Sequence, residues 1–370
     1  RYLYRVAVGY GFLSRRTLIV GNGEEVDRVL RLMESTDDSG RKVFGIISVG
    51  ELRPGTFKQG IPILGHMQDL RRFVDAYEVE TIIVAMSRHA EPGILQELRP
   101  LRYLGVQCMD HVSLHEELVG EIPLDHINDE WLMNAAMNSS VIHIRKIKRM
   151  MDILLSLTGL IVLFPLAVLA AILIKVSSRG PVLYRQRRVQ LGGQLYTLLK
   201  YRTMRQDAEA KTGAVWADKS DDRVTRVGRA LRATRMDEIP QLINVLKGEM
   251  SLVGPRPERP EFIDELARKI PFYRERLLVL PGITGWAQVK YPYAASAEAA
   301  RKKLQYDLYY IKHMSFLLDC QIMLRTVKII FSGTWHSGDH EMQDEDRTGG
   351  EGGLTVLPGG DSPEAGQSVG

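Results

Sequence analysis

Two adjacent acids, Asp237 and Glu238, stand in the run Arg232-Ala-Thr-Arg-Met-Asp237-Glu238-Ile-Pro240-Gln-Leu-Ile-Asn-Val-Leu-Lys-Gly248. Leu242, Val245 and Leu246 form an apolar stripe at helical spacing, and Gly248 suits a C-terminal cap. Pro240 has no amide hydrogen and is predicted in the first turn, where no partner is needed. That puts Asp237 at or beside the helix N-cap and Glu238 in the first turn. Free amides and the positive end of the helix dipole gather there and attract anions, phosphate included. Acids at such a place are also ordinary helix starts, so the pair alone carries little.

Its company carries more. Lys200-Tyr-Arg202-Thr-Met is a basic cluster after a strand-like Leu195–Leu199. Gly254-Pro255-Arg256-Pro257-Glu258 holds one arginine between two prolines that fix the backbone. A fixed guanidinium offers two parallel hydrogen bonds to a phosphate. A third run, Leu280-Pro-Gly-Ile-Thr-Gly-Trp286-Ala-Gln288-Val, follows.

These residues need elements to position them. The net charge of +4 hides an asymmetry: residues 336–370 hold eight acids against Arg347, so the rest of the chain is strongly basic. A basic body points to nucleic acid, phosphates or acidic lipid. Helix-turn-helix and zinc patterns are absent, and the bases flank an apolar segment, which disfavours nucleic acid. Cys108 and Cys320 are far apart and give neither a disulfide framework nor a zinc site.

Ile153–Ile174 is 22 residues without a charge, about 33 Å as a helix and enough to cross the hydrocarbon core. Pro165 sits in its middle and leaves the carbonyl of Ile161 without a helical donor. Bases flank both ends, Arg145–Arg149 before and Lys175, Arg179, Arg185, Arg187 and Arg188 after. A spanning helix usually shows a one-sided excess. Matched flanks predict a helix that enters, bends at Pro165 and returns to the same face.

Ahead of it, residues 17–110 alternate strand-like and helix-like runs, which predicts a parallel sheet covered by helices. Gly21 and Gly23 supply two glycines of a Gly-x-Gly-x-x-Gly turn, but Val26 takes the third position and Glu51 lies too far on for a ribose contact. A structural glycine turn is the expectation there. The C-terminal stretch Ala299–Ser332 reads equally as a lipid-surface helix or as core packing, and His313, His336 and His340 as surface residues.

Residues 146–335 resemble the bacterial sugar transferases that are monotopic polyprenyl-phosphate phosphoglycosyl transferases. The resemblance rests on the kinked apolar helix, Lys200-Tyr-Arg-Thr-Met, Asp237-Glu238-Ile-Pro-Gln, Lys247-Gly-Glu-Met-Ser-Leu-Val-Gly-Pro-Arg-Pro and Pro281-Gly-Ile-Thr-Gly-Trp-Ala-Gln-Val, in that order. The front part resembles the Rossmann-like CoA-binding domain of the larger members. The resemblance implies an α/β Rossmann-like N-terminal domain and a mostly α-helical monotopic membrane catalytic domain with a Pro-kinked re-entrant helix. The expected division is a linker at 1–16 from an absent upstream bundle, the Rossmann-like domain at 17–125, a connector at 126–147, the transferase at 148–335 with the re-entrant helix at 153–174, and a disordered acidic tail at 336–370.

It also implies chemistry. Asp237 attacks the β-phosphate of a UDP-sugar, releasing UMP, and polyprenyl (undecaprenyl) phosphate then takes the phospho-sugar from the aspartyl intermediate. Asp237 and Glu238 hold Mg²⁺. Lys200, Arg202, Arg232, Arg256 and Gln288 bind phosphate and substrate. The enzyme works with membrane lipid at the cytoplasmic face of a bacterial inner membrane, and a homodimer is compatible with the sequence. Three departures from the family stand out: Leu280 where a base is common, Lys290-Tyr-Pro-Tyr293 for an Asn-Gly-Arg-like run, and Gln190 for Gly. The first two leave the sugar unread. The rival readings are a membrane-attached nucleotide-sugar epimerase or dehydratase, which needs a second glycine fingerprint and a Tyr-x-x-x-Lys pair and finds no such fingerprint after residue 145, and a nucleotide-sensing regulatory membrane protein, which needs no cluster of Asp237, Glu238, Lys200 and Arg256.

Overall fold

The computed structural model describes residues 14–36, 40–50, 52–86, 92–127, 140–205, 223–291 and 296–332. The acidic tail, His336, His340, Tyr293, most of the 1–16 linker and most of the 126–147 connector lie outside the described residues.

The front domain runs β1 (Arg15–Gly21), α1 (Gly23–Glu34), β2 (Arg41–Ser48), β3 (Phe57–Lys58), β4 (Ile61–His66), α2 (Leu70–Tyr77), β5 (Thr81–Ala85), α3 (Pro92–Tyr103), β6 (Gln107–Asp110) and α4 (His111–Val119). The strands form one sheet in the order β3-β4-β2-β1-β5-β6, parallel except for the antiparallel β3–β4 pair. Successive residues of β1 face opposite sides, so each side has its own core. Leu18 and Val20 pack with Leu70 and Val74 of α2 and Leu98 and Leu101 of α3. Ile19 packs with Val26, Val29 and Leu30 of α1 and Leu114 of α4. Burial on both faces explains why the central strands read as unbroken apolar runs.

Strand β1 begins at Arg15, two residues before the expected boundary at 17. Arg15 and Arg16 are exposed but still extend the ladder, pairing with Arg41 and Lys42. An apolar run marks where a strand is buried, not where its hydrogen bonds start.

The second half begins with α5 (Ser140–Ser177), one helix of 38 residues that continues through Pro165. It starts eight residues before the expected boundary at 148 and outruns 153–174 at both ends, because the basic residues flanking the apolar run are themselves good helix formers. Then follow β7 (Leu183–Val189), β8 (Leu195–Tyr201), α6 (Arg226–Ala233), α7 (Gln241–Lys247), β9 (Ser251–Val253), α8 (Pro260–Lys269), β10 (Gly282–Thr284), α9 (Trp286–Lys290), α10 (Ala297–Lys312) and α11 (Phe316–Ser332). β7 and β8 form an antiparallel hairpin, and β9 and β10 a short parallel pair. The unit is mostly helical, as expected.

From Arg145 onward one side of α5 packs on this unit, and the other is apolar and open. Ala170 and Ile174 are buried with Tyr201, Leu231 and Ile239, while Ile161, Val162, Phe164 and Val176 are each at least 65% exposed. Among the described residues it is the one helix long and apolar enough to cross a membrane. The C-terminal stretch divides at His313–Ser315. Helix α10 is core, with Leu304, Leu308 and Tyr310 buried. Helix α11 is two-sided: Leu318 and Ile322 face inward, and Leu317, Leu324 and Phe331 face out. Core packing thus holds for α10, while α11 buries one side and leaves apolar residues exposed on the other.

Candidate active site

Asp237 and Glu238 occupy a 3₁₀ turn, Met236–Glu238, ahead of α7. This corrects their expected place at the N-terminus of the helix itself: α7 starts at Gln241 and Pro240 is its N-cap. The chain enters the turn through Arg235, which takes the left-handed conformation at φ 57°. That bend costs energy for a residue with a Cβ, and it closes the loop so that the Glu238 amide donates to the Arg235 carbonyl. At the other end Gly248 caps α7 with φ 85°, as its sequence position predicts. The guanidinium of Arg149, from α5, donates to the carbonyls of Val245 and Leu246 in the last turn of α7.

Asn244 fixes the turn against the hairpin. It is fully buried, its Nδ2 donates to the carbonyl of Thr197, and its Oδ1 accepts from the amide of Leu199. It thereby bonds as a strand neighbour would, one residue short of Lys200. Lys200 Nζ then reaches Glu238 Oε1 at 3.3 Å.

Two further cations meet the same oxygen: Arg235 Nη1 at 3.0 Å and Arg256 Nη2 at 3.3 Å. Burial alone would raise the Glu238 carboxyl; Lys200, Arg256 and Arg235 outweigh it and hold the carboxyl well below the usual range. Burial pushes the Lys200 ammonium down, against the pull of Glu238. Asp237 differs. It is 7% exposed, and its Oδ1 is buried without a hydrogen-bond partner. Burial, then the neighbouring Glu238 charge, push its carboxyl up, while Lys200, Arg235 and Arg232 pull against them. One acid is thus saturated with cations, and the other is desolvated and has an oxygen to spare.

Arg256 is positioned by close backbone packing. A Cβ on Gly282 would lie 2.1 Å from the Gly254 nitrogen, so only glycine lets the β9 and β10 ends approach this far. The Gly254 amide donates to the Thr284 carbonyl, and the Gly282 amide to the Pro255 carbonyl, both just ahead of Arg256. From behind, Arg276 donates to the Arg256 carbonyl at 3.0 Å and to Asp307 at 2.9 Å.

The other expected residues are spread around this centre. Arg232 donates to the Thr203 hydroxyl at 2.9 Å, close enough for its charge to act on Asp237. Arg202 turns away: its Nη2 donates to the carbonyl and hydroxyl of Ser178, tying down the end of α5, and it shows no contact with the acid pair. Gln288 braces the turn before α9 through the Ile283 carbonyl, and its Oε1 is buried and unpartnered. Sequence reasoning passed over Arg235, Asn244 and Arg276. Arg235 was findable, three residues before Glu238 in the same motif; nothing in the sequence singles out Asn244.

Could this site hold Mg²⁺? Among the described residues no three His, Cys, Asp or Glu side chains cluster for a metal. Mg²⁺ commonly uses one or two carboxylates and completes its shell with substrate phosphates and water. The unpartnered oxygen of Asp237 beside Glu238 fits that pattern.

Comparison with known proteins supplies the family. The bacterial sugar transferase family model matches residues 143–333, just over half of the chain. The chain belongs to the bacterial sugar transferase family. Ahead of that segment, residues 2–109 match the CoA-binding domain model. A UDP-N-acetylgalactosamine-undecaprenyl-phosphate N-acetylgalactosaminephosphotransferase of Aeromonas hydrophila is 42% identical over 63% of this chain and 55% of its own length. A UDP-glucose:undecaprenyl-phosphate glucose-1-phosphate transferase of Xanthomonas campestris pv. campestris is 32% identical over 84% of this chain and 66% of its own. One of the same description from Caulobacter vibrioides is 44% identical over 49% and 68%. The chain therefore spans a little over half to two thirds of the length of these family members.

Proposed function

We propose that the chain transfers a sugar-1-phosphate from a UDP-sugar to polyprenyl (undecaprenyl) phosphate, with UMP as the other product. The carrying observation is the division of labour in the acid pair: Glu238 gathers three cations while Asp237 keeps a desolvated oxygen free. A carboxylate that has already lost its hydration is prepared to attack phosphorus. Its oxygen bonds to the β-phosphorus as the bond to UMP breaks, and UMP leaves with the electron pair. A phosphate oxygen of the lipid then attacks the same phosphorus and the aspartyl bond breaks. Lys200, Arg235 and Arg256 hold phosphate oxygens through both steps, with Arg232 beside Asp237, since phosphoryl transfer depends mostly on position and charge. Asp237 and Glu238 would hold Mg²⁺, which would supply charge neutralisation of the diphosphate.

The names of the relatives support UDP-sugars and undecaprenyl phosphate as substrates. They name both N-acetylgalactosamine and glucose, so the sugar stays open. The assay is UMP release with Mg²⁺, undecaprenyl phosphate and a panel of UDP-sugars, with mass spectrometry of Asp237 before lipid is added. A phospho-sugar on Asp237 is expected; release of UDP instead of UMP overturns the reading.

We also propose that α5 is re-entrant, with both ends at the cytoplasmic face of the inner membrane. Both ends are tied to the same catalytic unit: Arg149 to α7 at one, Ser178 to Arg202 at the other. A straight span would set those ties on opposite sides of a bilayer. Single cysteines for the exposed Lys146 and Arg179, in a Cys108→Ser/Cys320→Ser background, should both resist an impermeant thiol reagent on intact cells. Labelling of one alone would mean that α5 spans. Pro165→Leu restores the missing donor and should push α5 toward spanning.

A further inference from the structure

Residues 110–142 fall in neither matched family model. The described part of this stretch is nonetheless bound into the transferase unit. Glu116, 6% exposed, accepts from Lys312 at 2.7 Å and lies 3.3 Å from the His313 ring. Glu121, 4% exposed, pairs with Lys302 at 2.7 Å and lies 3.0 Å from His115. The Ile122 amide donates to the Gln305 carbonyl. Ile122, Leu124 and Ile127 share one buried cluster with Trp286, Leu304 and Leu308. Trp286 Nε1 donates to the Gly120 carbonyl at 2.7 Å, and Lys290 Nζ to the Val119 carbonyl at 3.1 Å. Gly120 has φ +77°, and a Cβ there would come within 2.9 Å of the Trp286 ring. A plain connector requires none of this. Two buried carboxylates, each with a lysine, are costly to bury and costly to break.

The opposite side of α10 leads to the active site. Asp307 follows Lys302 by five residues, which places it roughly 140° around the helix. It is 2% exposed and accepts from Arg276, whose same Nη2 donates to the Arg256 carbonyl. Arg256 in turn meets Glu238. Helix α10 is therefore gripped on one side by residues 115–127 and supports the phosphate-binding arginine on the other.

We propose that Glu116 and Glu121 are positioning residues for the transfer reaction: they seat α10, and through Arg276 they set Arg256 against Glu238 and the substrate phosphates. This rests on the transferase reading, because Arg256 affects a rate only if phosphate is handled there. It also accounts for one departure from the family, since Lys290 is engaged with the Val119 carbonyl and stacks over the Trp286 ring.

The test uses the full chain in lipid nanodiscs. Glu116→Gln/Glu121→Gln should lower kcat/KM for UMP release by about 3–30-fold, well inside the span of coupling between groups in one network. In an Arg256→Lys background the same pair should add less than twofold, because its route is already cut. An equal loss in both backgrounds, or no loss in the parent background, overturns the proposal. Leu98→Ala, which weakens the front domain's own core, should leave kcat/KM within twofold; a loss matching that of the glutamate pair means general destabilisation and overturns it too. Hydrogen exchange of α10 and of residues 255–257 gives a readout free of turnover. Faster exchange in the glutamate variant supports the seating role, and unchanged exchange refutes it. If the parent releases no UMP from any UDP-sugar, the transferase reading fails by itself, and the exchange data still decide whether this segment holds α10.

Discussion

The glycines of the front domain and those of the transferase unit bring backbones together for different ends. At the end of β1, a Cβ on Gly21 would meet the Ala85 carbonyl oxygen at 2.1 Å, and two residues later Gly23 faces open space. The tight position there closes a sheet whose two sides are already filled by apolar residues. Between β9 and β10 a Cβ on Gly282 would meet the Gly254 nitrogen, also at 2.1 Å, and a Cβ on Gly285 the Gly254 oxygen at 2.2 Å. That approach carries a side chain with it: Arg256 leaves the junction and reaches Glu238. Equal steric tightness therefore means different things. In one half it serves packing; in the other it aims a guanidinium. The acids differ likewise. Glu116 is buried with both oxygens bonded to Lys312, and Glu121, also buried, lies against Lys302 and His115, whereas the buried Asp237 has an oxygen that meets no partner. An unsatisfied buried carboxylate is expensive, and a fold keeps one where a substrate will use it.

The largest break in that comparison comes from Asp237→Asn. An amide cannot form the acyl phosphate, so UMP release should fall on the order of 10⁴-fold or more, the scale of removing a nucleophile. Asp237→Glu displaces the attacking oxygen by about one carbon–carbon bond and should cost about 10²-fold or more. Full activity in Asp237→Asn at equal expression would remove the nucleophile from the mechanism.

Excess EDTA should come next, with a loss on the order of 10²–10³-fold that Mg²⁺ reverses, the equivalent of a few kcal/mol of charge stabilisation. Unchanged turnover in EDTA would show that the cations around Glu238 suffice without metal.

Gly282→Ala and Gly21→Ala test the glycine comparison itself. Each drives a Cβ into backbone that cannot yield cheaply, at about 3 kcal/mol or more. Gly282→Ala should lower both Tm and kcat/KM, because Arg256 moves with the junction. Gly21→Ala should lower Tm and spare most of the kcat/KM of the folded fraction. Equal kinetic damage from both would mean that the two halves act as one unit at this site.

Much of this was legible in the sequence, for identifiable reasons. The central strands announced themselves because burial on both faces forces apolar runs, and the acid pair because its neighbours are cations fixed by prolines. The pieces that escaped are set by tertiary contact. β3 is only two residues long, and in β4 Pro62 interrupts the apolar Ile61, Ile63 and Leu64 and reads against a strand. The 3₁₀ turn of Asp237 depends on Arg235 adopting a left-handed backbone that its residue type does not favour. Arg202 sits in the same basic cluster as Lys200, yet it lies two residues further along an extended chain, past the end of β8, and there meets Ser178 instead of the acids. Composition showed a base; only the end of α5 determined what that base binds. The segment 115–127 read as the tail of the front domain, because its partners on α9 and α10 lie more than 160 residues away.

The smallest expected effect sharpens the comparison most. Gly23 is the second glycine of the turn that resembles a dinucleotide fingerprint, and it opens α1. In a working fingerprint this glycine lets a pyrophosphate approach the backbone, so a methyl group there is damaging. Here no atom lies within 4 Å of the added Cβ and the backbone has no positive φ. Alanine should therefore cost nothing sterically and should restrict the unfolded chain, giving a change between zero and about 1 kcal/mol of stabilisation. Thermal unfolding of the full chain, with kcat/KM beside it, checks this. Tm should stay level or rise slightly and the kinetics should not change. A clear fall in kcat/KM with Tm intact would mean that Gly23 keeps space for a ligand that the transfer reaction depends on, and the turn would no longer count as purely structural. A fall in Tm alone would mean that the helix start is more crowded than its geometry allows.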